Sequence, residues 1–370
     1  MKPHRLYIIM CILSLLFLAG CRDEEPVQSA ESKRTITVNL GIAMSRVVLD
    51  DTDLGDDSQP TDMKVWIFNQ DNTVKVDYYE INNPIFSGSD ALGELVNTYE
   101  RIIELENEVT ALNFYVVLNS GNAQGLSPFL DENSMPDQIK AAFFTGLQNV
   151  TADNEVPAYG CEENFDVSDH KNSYSVPTIN VTRAVGKLEV LFTKESEDSY
   201  LKINKVEITQ GIPTKGYLAE VSDNDDRSYD EGSIMLFESE QEQEGVIDDD
   251  MFLPQSEASY GDFSLHADKF QSLVQEYLLE NPNGKEWNDE KHDWTYPNVP
   301  DGETYCYVLK IDYQTLEGEN PKSKNIYLPI IERNTWNKIF VRVKRKEIDM
   351  EFELLVEPWH EIDIEVPPFV

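Results

Sequence analysis

The chain has 370 residues, of which 30 are basic and 69 are acidic, so its formal net charge at pH 7 is −39. A polyanion of this kind is repelled by nucleic acid and by anionic lipid head groups, which argues against both as partners. Hydrophobic residues make up 40% of the chain, which argues against a disordered protein. After removal of a signal peptide, about 350 residues remain, a length that suits two domains.

The first 20 residues have the pattern of an export signal. A basic start precedes an apolar run over residues 6–18, which is shorter than the roughly 20 residues that a membrane-spanning helix needs. Cys21 directly follows Ala19-Gly20 and resembles the lipobox cysteine of bacterial lipoproteins, which is acylated. We therefore predict a signal peptide over residues 1–20, lipidation (palmitate) at Cys21 and attachment to the outer membrane through that lipid.

Residues 21–34 form an acidic tether in this interpretation. The cysteine is followed by Arg-Asp-Glu-Glu, and acidic residues there resemble the surface-export signal of Bacteroidetes lipoproteins. We therefore predict a location on the outer face of the cell outer membrane. The alternative is that the segment is only a polar tether, rich in Glu and Ser, without a targeting role.

The remaining sequence predicts mostly short β-strands. Residues alternate with period two from Thr35 to Ile42, as in a half-buried strand. Further strand patterns follow at residues 63–68, 74–78, 113–118, 178–192, 203–208, 304–313, 325–330, 336–345 and 351–356. Helical spacing predicts three inserted helices, over residues 91–103, 136–147 and 266–279.

The predicted fold class is mainly β, with two Greek-key β-sandwich domains and a few inserted short helices. The N-terminal domain is predicted over residues 35–177 and the C-terminal domain over residues 178–370. An acidic insertion interrupts the second domain at about residues 221–300.

No catalytic motif stands out in the sequence. The histidines that survive signal removal lack His-Glu-x-x-His spacing and have no accompanying Cys-x-x-Cys pair. They are His170, His266, His292 and His360. The sequence also lacks a nucleophile elbow, a Walker loop and a dinucleotide glycine pattern. We therefore predict a protein that is not an enzyme and binds no cofactor.

Two further features carry weak signals. Cys161 and Cys306 remain after processing, so one disulfide is possible, although two buried thiols are the expected state. Acidic runs at residues 51–57 and 223–226 have spacings that calcium tolerates. Neither run completes the twelve-residue calcium loop with its closing glutamate, so we expect solvated loops and no metal.

Several motifs, in order along the chain, resemble those of the fimbrillin superfamily, the type V pilus subunits of Bacteroidales. They are Met63–Phe68 with the Asp/Asn turn after it, Tyr115–Asn119, Val156–Gly160, Arg183–Lys187, Arg333–Lys338 and Glu357–Trp359. The segment Arg183–Lys187 is similar to the family's Arg-x-x-Ala-Lys strand, with Gly186 where alanine is usual. The resemblance covers about the whole mature chain.

The resemblance implies two transthyretin-like β-sandwich domains and a route of assembly. In this family a trypsin-like protease cuts an arginyl bond after the first strand, and a strand of a neighbouring subunit fills the groove. Arg46, followed by Val47, comes directly after the first predicted strand, so this bond is the predicted processing site. Arg34 is a second candidate, but a cut there would leave the first strand attached.

The C-terminus is the predicted donor strand. Ile362, Ile364 and Val366 alternate with acidic residues, and Pro367-Pro368 ends the strand because proline cannot donate to a ladder. The alternative is that this segment is the last strand of its own domain.

The sequence therefore predicts a structural or adhesive subunit of a cell-surface pilus, or fimbrium, whose partners are other pilus subunits. The alternatives are an unprocessed pilus anchor that keeps its lipid and a surface lipoprotein that binds glycans. Aromatic residues of the insertion would supply a glycan or host-receptor surface, although partial burial is the plainer expectation. They are Tyr229, Trp287, Trp294 and Tyr296.

Overall fold

The computed structural model describes residues 33–44, 59–85, 88–89, 95–220, 228–259, 261–283, 286–288, 293–295, 306–344 and 350–358. Within these ranges β-strand is the main regular secondary structure. The helical elements of this part are the short helix α1 (Pro136–Lys140) and the 3₁₀ segments Ser120–Asn122, Asp153–Glu155 and Phe263–Lys269.

The strands divide at Ala184. Before it come β1 (Lys33–Met44), β2 (Asp62–Asn69), β3 (Lys75–Asn82), β4 (Gly88–Ser89), β5 (Leu95–Glu106), β6 (Ala111–Leu118), β7 (Ala123–Gln124), β8 (Phe143–Phe144), β9 (Gly146–Leu147), β10 (Ala158–Asp166) and β11 (Ser173–Arg183). After it come β12 (Val185–Lys194), β13 (Lys202–Ile208), β14 (Ile212–Pro213), β15 (Gly216–Tyr217), β16 (Tyr229–Asp230), β17 (Ile234–Glu238), β18 (Gln271–Leu279), β19 (Glu286–Asn288), β20 (Asp293–Thr295), β21 (Val308–Gln314), β22 (Lys322–Tyr327), β23 (Thr335–Val343) and β24 (Met350–Pro358).

The strands before Ala184 form the first sandwich. Eight of them are hydrogen-bonded in the order β3-β2-β6-β10-β11-β1-β5-β4. β10 and β11 pair only at Ala158 and Tyr159. At the next residue, Gly160, a Cβ atom would lie 2.5 Å from the carbonyl oxygen of Asn180. Side chains from both halves of the order share one core, so the sheet folds into two layers, β3-β2-β6-β10 and β11-β1-β5-β4.

The strands after Ala184 form the second sandwich. Its two sheets have the orders β18-β12-β23-β24 and β17-β13-β21-β22. Val190 of β12 and Ile339 of β23 meet Val206 of β13 and Ile311 of β21 in one buried core. The predicted acidic insertion therefore supplies one edge strand to each sheet, β18 to the first and β17 to the second.

A third apolar cluster joins the two sandwiches. Trp66 and Tyr115, on the outer faces of β2 and β6, pack with Phe144 and with Val185 at the start of β12. β8 also pairs with β15, so a strand from each part of the chain takes part in the contact. The predicted domain division at residues 177 and 178 falls inside β11, and the division itself stays a prediction.

The predicted fold class, mainly β with sandwich packing, is confirmed, whereas the transthyretin-like detail stays a prediction. The predicted helix over residues 91–103 is wrong, because Leu95–Glu106 is strand β5. The predicted helix over residues 266–279 is also wrong, because Gln271–Leu279 is strand β18, paired along β12. The helix over residues 136–147 is reduced to the five residues of α1.

Candidate functional site

Strand β1 lies between two strands and pairs with both. All twelve of its residues pair with β5 in antiparallel register, from Lys33 opposite Glu106 to Met44 opposite Leu95. On its other side β1 runs parallel to β11, with pairing that begins at Thr37. We call the space that β1 occupies between β5 and β11 the β1 slot.

Every second side chain of β1 enters the core of the first sandwich. Ile36, Val38, Leu40 and Ile42 are each at most 1% exposed. Full burial of one aliphatic side chain contributes about 1.5–3 kcal/mol. Removing β1 would expose this core and leave N–H and C=O groups of β5 and β11 without partners. The β1 slot therefore requires a strand to fill it.

Two turns close the end of the slot at which β1 begins. Nη2 of Arg34 donates to the carbonyl oxygen of Val109 at 3.0 Å and to that of Val167 at 2.8 Å. The Val167 carbonyl also accepts a bond from the Tyr174 hydroxyl at 3.1 Å. Arg34 thus ties β1 to the β5–β6 turn and to the β10–β11 turn. We call this pair of carbonyl groups the Arg34 socket.

A carboxylate holds the β10–β11 turn in place. The ammonium group of Lys171, at 2.6 Å, and the hydroxyl of Tyr174, at 2.7 Å, hold the pKa of Asp169 down at about 2. Burial, with the bond to Asp169 as a further cause, raises the pKa of Tyr174. The turn that supplies the Val167 carbonyl therefore keeps an anion and its partners together at neutral pH.

The pairing of β1 with β11 is interrupted at one place. Leu40 lies opposite Val176 and Ile42 lies opposite Ile179, so two residues of β11 face the single residue Gly41. They are Pro177 and Thr178, and a Cβ atom on Gly41 would lie 3.1 Å from Oγ1 of Thr178. Proline has no N–H to give to a ladder, which suits a bulge. No sequence pattern in β1 or β11 indicates this irregularity in advance.

The predicted processing site follows β1 closely. Arg46 and Val47 lie outside the described residues, but β1 ends at Met44, so the whole strand is on the N-terminal side of that bond. Arg34, in contrast, is the second residue of β1 and pairs with Leu105 of β5. A protease must first open this paired strand before it can reach the Arg34 bond.

The other predicted site residues also lie outside the described ranges. They are the lipidation site Cys21 and the donor-strand residues Ile362, Ile364 and Val366. β24, which ends at Pro358, pairs with β23 at the edge of its sheet. The predicted donor segment therefore begins directly after an edge strand of the second sandwich.

Two of the sequence motifs, Arg183–Lys187 and Arg333–Lys338, meet where the two sandwiches join. Arg183 is fully buried, and its Nε donates to the carbonyl oxygen of Asp153 at 3.1 Å. Its Nη2 donates to Oδ1 of Asn154 at 3.0 Å and its Nη1 to Oδ1 of Asn334 at 3.5 Å. Burial lowers the pKa of Arg183 to about 10, so the group remains a cation at neutral pH.

The same motifs continue side by side along β12 and β23. Lys187 pairs with Trp336 in parallel register, and its Nζ lies 4.5 Å from the centroid of the indole ring. Nζ of Lys187 also forms an ion pair with Asp153 at 3.0 Å. The carbonyl oxygen of Lys187 accepts a hydrogen bond from Nδ2 of Asn337 at 3.3 Å. The motifs Arg183–Lys187 and Arg333–Lys338 therefore form one structural joint.

Gly186, where the family pattern has alanine, is required by this joint. A Cβ atom there would lie 2.8 Å from the carbonyl oxygen of Glu332 and 2.8 Å from Cγ2 of Ile331. Both distances are shorter than ordinary van der Waals contact. The departure from the pattern therefore follows from the close approach of the segment before β23.

The described residues contain no group of three or more His, Cys, Asp or Glu side chains that could hold a metal ion. Both acidic runs singled out in the sequence, at residues 51–57 and 223–226, lie outside the described ranges. Of the aromatic residues of the insertion, Tyr296 also lies outside the described ranges. The hydroxyl of Tyr229 accepts a hydrogen bond from Nδ2 of Asn283. Among the described residues, no helix combines the length and apolar character needed to cross a membrane.

Cys161 and Cys306 are not joined in a disulfide. The expectation of two buried thiols is confirmed for Cys306 and wrong for Cys161, which is exposed. Cys161 follows Gly160, the point at which β10 separates from β11 and keeps only β6 as its neighbour. One side of β10 is therefore open at this residue.

Comparisons with known proteins give a fold and no close relative in sequence. No family model matches the chain, and no curated protein matches it. Among solved structures, a fimbrial assembly protein from Parabacteroides distasonis has a TM-score of 0.50 and 12% identity, over 88% of this chain and 100% of that chain. A candidate cell adhesion protein from the same species has a TM-score of 0.50 and 10% identity, over 87% of this chain and 97% of that chain.

These matches cover both sandwiches, so the likeness applies to the whole described architecture and not to one domain. At 12% and 10% identity they establish a shared fold. The chain therefore has the fold of fimbrial and cell-adhesion proteins of Bacteroidales, which agrees with the fimbrillin resemblance of its motifs.

Proposed function

We propose that this protein is a structural or adhesive subunit of a cell-surface pilus. In this proposal it is exported as a lipoprotein precursor, anchored through Cys21 to the outer face of the outer membrane, and cut after Arg46. The cut frees β1, and a strand from another pilus subunit then takes its place. The protein acts without catalysis and without a cofactor.

The observation that carries the proposal is the position of β1. It is the first described strand of the chain, yet it lies inside the sheet, with β5 on one side and β11 on the other. A single cut after its last residue would separate all twelve of its residues from the rest of the chain.

The remaining slot would select a strand as its ligand. The unpaired ladders of β5 and β11 would offer main-chain hydrogen bonds, and the open core would accept alternate apolar side chains. A donor segment with the pattern of Ile362, Ile364 and Val366 has apolar residues at the required spacing. The fold shared with a fimbrial assembly protein adds support at the level of architecture.

The test is the intact mass and the N-terminal sequence of the protein sheared from native cells, with gel electrophoresis before and after boiling. We expect a mature chain that begins at Val47 and ladders that collapse on boiling. An Arg46→Lys variant keeps the charge but removes the arginyl bond. With an arginine-specific protease it should keep β1 and form no ladder.

The alternatives give different results in the same experiment. An acylated Cys21 start, together with no ladder in any form, would reject the proposal and leave a glycan-binding lipoprotein. An acylated start in a chain that still occurs within ladders formed by other subunits would identify the pilus anchor.

A further inference from the structure

The two walls of the β1 slot, β11 and β5, are attached to the rest of the first sandwich in different ways. β11 is hydrogen-bonded to β10 at Thr182 and Arg183. Four side chains of β11 lie in the core and are each at most 7% exposed, namely Tyr174, Val176, Ile179 and Val181. β11 would therefore stay attached by its backbone and by an apolar face if β1 left.

β5 has less support in the described part of the chain. Apart from β1, its strand partner there is β4, which pairs with only the first two residues of β5. Ile103 and Leu105 place apolar side chains in the core near the other end of the strand. The middle of β5 is the position of Arg101, which lies opposite Val38. Departure of β1 would therefore leave the middle of β5 without a neighbouring strand.

Arg101 links β5 to the opposite layer of the sandwich. Its Nε and Nη2 donate to Oδ2 of Asp77 at 3.2 Å and 3.0 Å. Its guanidinium carbon lies 4.4 Å from the centroid of the Tyr79 ring. Asp77 and Tyr79 belong to β3, which pairs along β2. We call this contact the Arg101 clamp. It joins the two ends of the strand order, which share no strand pairing among the described residues.

The clamp is better shielded from water than an ordinary surface ion pair. The side chain of Arg101 is 37% exposed and that of Asp77 is 23% exposed, while Tyr79 is buried. Two hydrogen bonds to one carboxylate and a stacked ring contribute more together than an exposed ion pair does. The Tyr79 hydroxyl is buried and finds no hydrogen-bond partner among the described residues. The ring is therefore the part of Tyr79 that the clamp uses.

We propose that the Arg101 clamp holds β5 in place while the β1 slot is empty, so that Arg101 and Asp77 are positioning residues for strand exchange. A slot for one strand requires walls that lie two interstrand spacings apart, roughly 9–10 Å. A wall that is already ordered lowers the entropy cost of binding a new strand. This inference rests on the proposed function, and it names the residues that keep the emptied subunit ready.

The clamp also guards the chain against a second cut. A protease that cuts after Arg46 would accept the Arg101 bond if β5 became a mobile, extended segment. Among the arginines described beyond β1, Arg101 has the most exposed side chain, at 37%. The side chain of Arg333 is 10% exposed, and Arg183 and Arg342 are at most 1% exposed. Of these bonds, the one after Arg101 is therefore at greatest risk when β1 is absent.

The experiment uses the mature chain cut after Arg46 by an arginine-specific protease, with the cut confirmed by intact mass. The β1 fragment is removed by size-exclusion chromatography in mild urea, and a labelled peptide of residues 33–46 is titrated back. Fluorescence anisotropy measures its affinity. We expect the Arg101→Met and Asp77→Asn chains to bind the peptide about tenfold more weakly than the natural chain. The double variant should lose no more than Arg101→Met alone, because both changes remove one contact.

Two control variants match these changes. Lys140→Met removes an ion pair of similar exposure, at 2.6 Å from Glu163, that joins α1 to β10. Tyr79→Phe keeps the ring and removes only the hydroxyl. Both should bind the peptide as the natural chain does. Urea unfolding of the uncut chains adds a second measurement. A contact that only stabilised the fold would contribute equally to the empty and the filled slot, so its loss would lower stability without changing peptide affinity.

The protease supplies an independent readout on the Asp77→Asn chain, which keeps Arg101. Without peptide, this chain should be cut after Arg101 about tenfold faster than the natural chain, because cleavage follows the population of the open strand. Added 33–46 peptide should suppress the cut. Mass spectrometry identifies the fragment that ends at Arg101.

The outcomes separate the two proposals. If both clamp variants bind the 33–46 peptide as tightly as the natural chain, or if cleavage after Arg101 is equally slow in the natural and Asp77→Asn chains, this inference is overturned and the slot function stands. If the chain is not cut after Arg46, or if the natural cut chain never takes up the peptide, the proposed function fails and this inference fails with it.

Discussion

The first and the last described strands of the chain, β1 and β24, differ in how they are held. β1 has a neighbour on each side, and alternate side chains such as Val38 are 0% exposed. β24 pairs with β23 at the edge of its sheet, and its Val356 is 44% exposed. An edge strand can leave with little damage to its sheet, whereas a central strand exposes two ladders and a core. The proposed strand exchange at β1 would therefore require entry of the new strand to accompany departure of the old one.

β24 makes, besides its pairing with β23, a polar contact with the segment that precedes β18. Oε2 of Glu353 accepts hydrogen bonds from the backbone N–H of Gly261 at 2.8 Å and of Phe263 at 2.9 Å. Oε1 accepts a longer one from Ser264 at 3.4 Å. A side-chain carboxylate thus adds to the ladder that holds β24 on β23, whereas β1 is held by two ladders and its buried apolar face.

The strongest test of this difference is truncation of one side chain on each strand. Leu40→Ala should lower the free energy of unfolding by about 2–5 kcal/mol, because the leucine is 1% exposed and its removal leaves a cavity. Val356→Ala should change it by no more than about 0.5 kcal/mol. Urea unfolding of the uncut mature chain measures both. Equal losses at the two positions would show that β1 is not the more tightly packed strand.

A smaller loss is expected at the joint between the sandwiches. Gly186→Ala should destabilise the chain by about 1–3 kcal/mol, because the added methyl group collides with a backbone carbonyl. Gly232→Ala is the matched control, since a Cβ atom there would be no closer than 3.5 Å to its neighbours. The same urea experiment applies. A neutral Gly186→Ala variant would mean that the joint yields, and that alanine fits this chain as it fits the family pattern.

The polar contact of β24 should contribute less than the packing of β1. Glu353→Ala removes a charged acceptor from three N–H groups and should cost about 1–2 kcal/mol. Glu231→Ala, at an exposed position in a turn, is the control and should be neutral. Hydrogen exchange at the amides of Gly261 and Phe263 would locate the effect. Unchanged protection of both amides in the Glu353→Ala variant would contradict the role assigned to this carboxylate.

Most strands could be predicted from alternation, but β5 could not. Its pattern is disguised where Arg101 pairs with the core-facing Val38 while Ile102 is 69% exposed. Arg101 can take this position because its guanidinium stacks on Tyr79 at 4.4 Å and pairs with Asp77 at 3.0 Å. Those partners lie on β3, so the local sequence contains no sign of them. The apolar spacing of residues 91–103 therefore imitates that of a helix.

In the candidate site, too, local patterns could be predicted from the sequence and contacts between distant residues could not. The strand β1 and its buried alternation could be predicted, because they are a local pattern of residues. The contact of Arg34 with Val109 and Val167 could not, because both partners are main-chain groups in distant turns. The need for Gly186 is likewise set by Glu332, which lies far along the chain.

The smallest expected effect is a pH dependence, which we compare between two turns, each held by a carboxylate. The pKa of Asp169 is lowered to about 2 by Lys171 and Tyr174, and that of Glu319 is lowered to about 2, first by the backbone N–H of Thr315. A lowered pKa means stabilisation that is complete above the ordinary carboxyl pKa and is lost as the pH falls toward 2. Only the Asp169 turn contacts β1, through the Arg34 socket.

The pKa values of Asp169 and Glu319 both lie at about 2, so acidification from pH 5 toward pH 2 should loosen both turns. We expect an effect on β1 only through the Asp169 turn. The amide of Thr37 donates to the carbonyl oxygen of Asn172, beside that turn, and reports on β1. Its hydrogen-exchange protection, corrected for the intrinsic rate, should fall with pH in the natural chain. Asp169→Asn should reduce protection already at pH 5 and flatten this dependence, because no charge remains to be lost. Glu319→Gln should leave the Thr37 profile unchanged, and a matching change in both variants would mean that acid acts on the whole fold and not on the end of the slot.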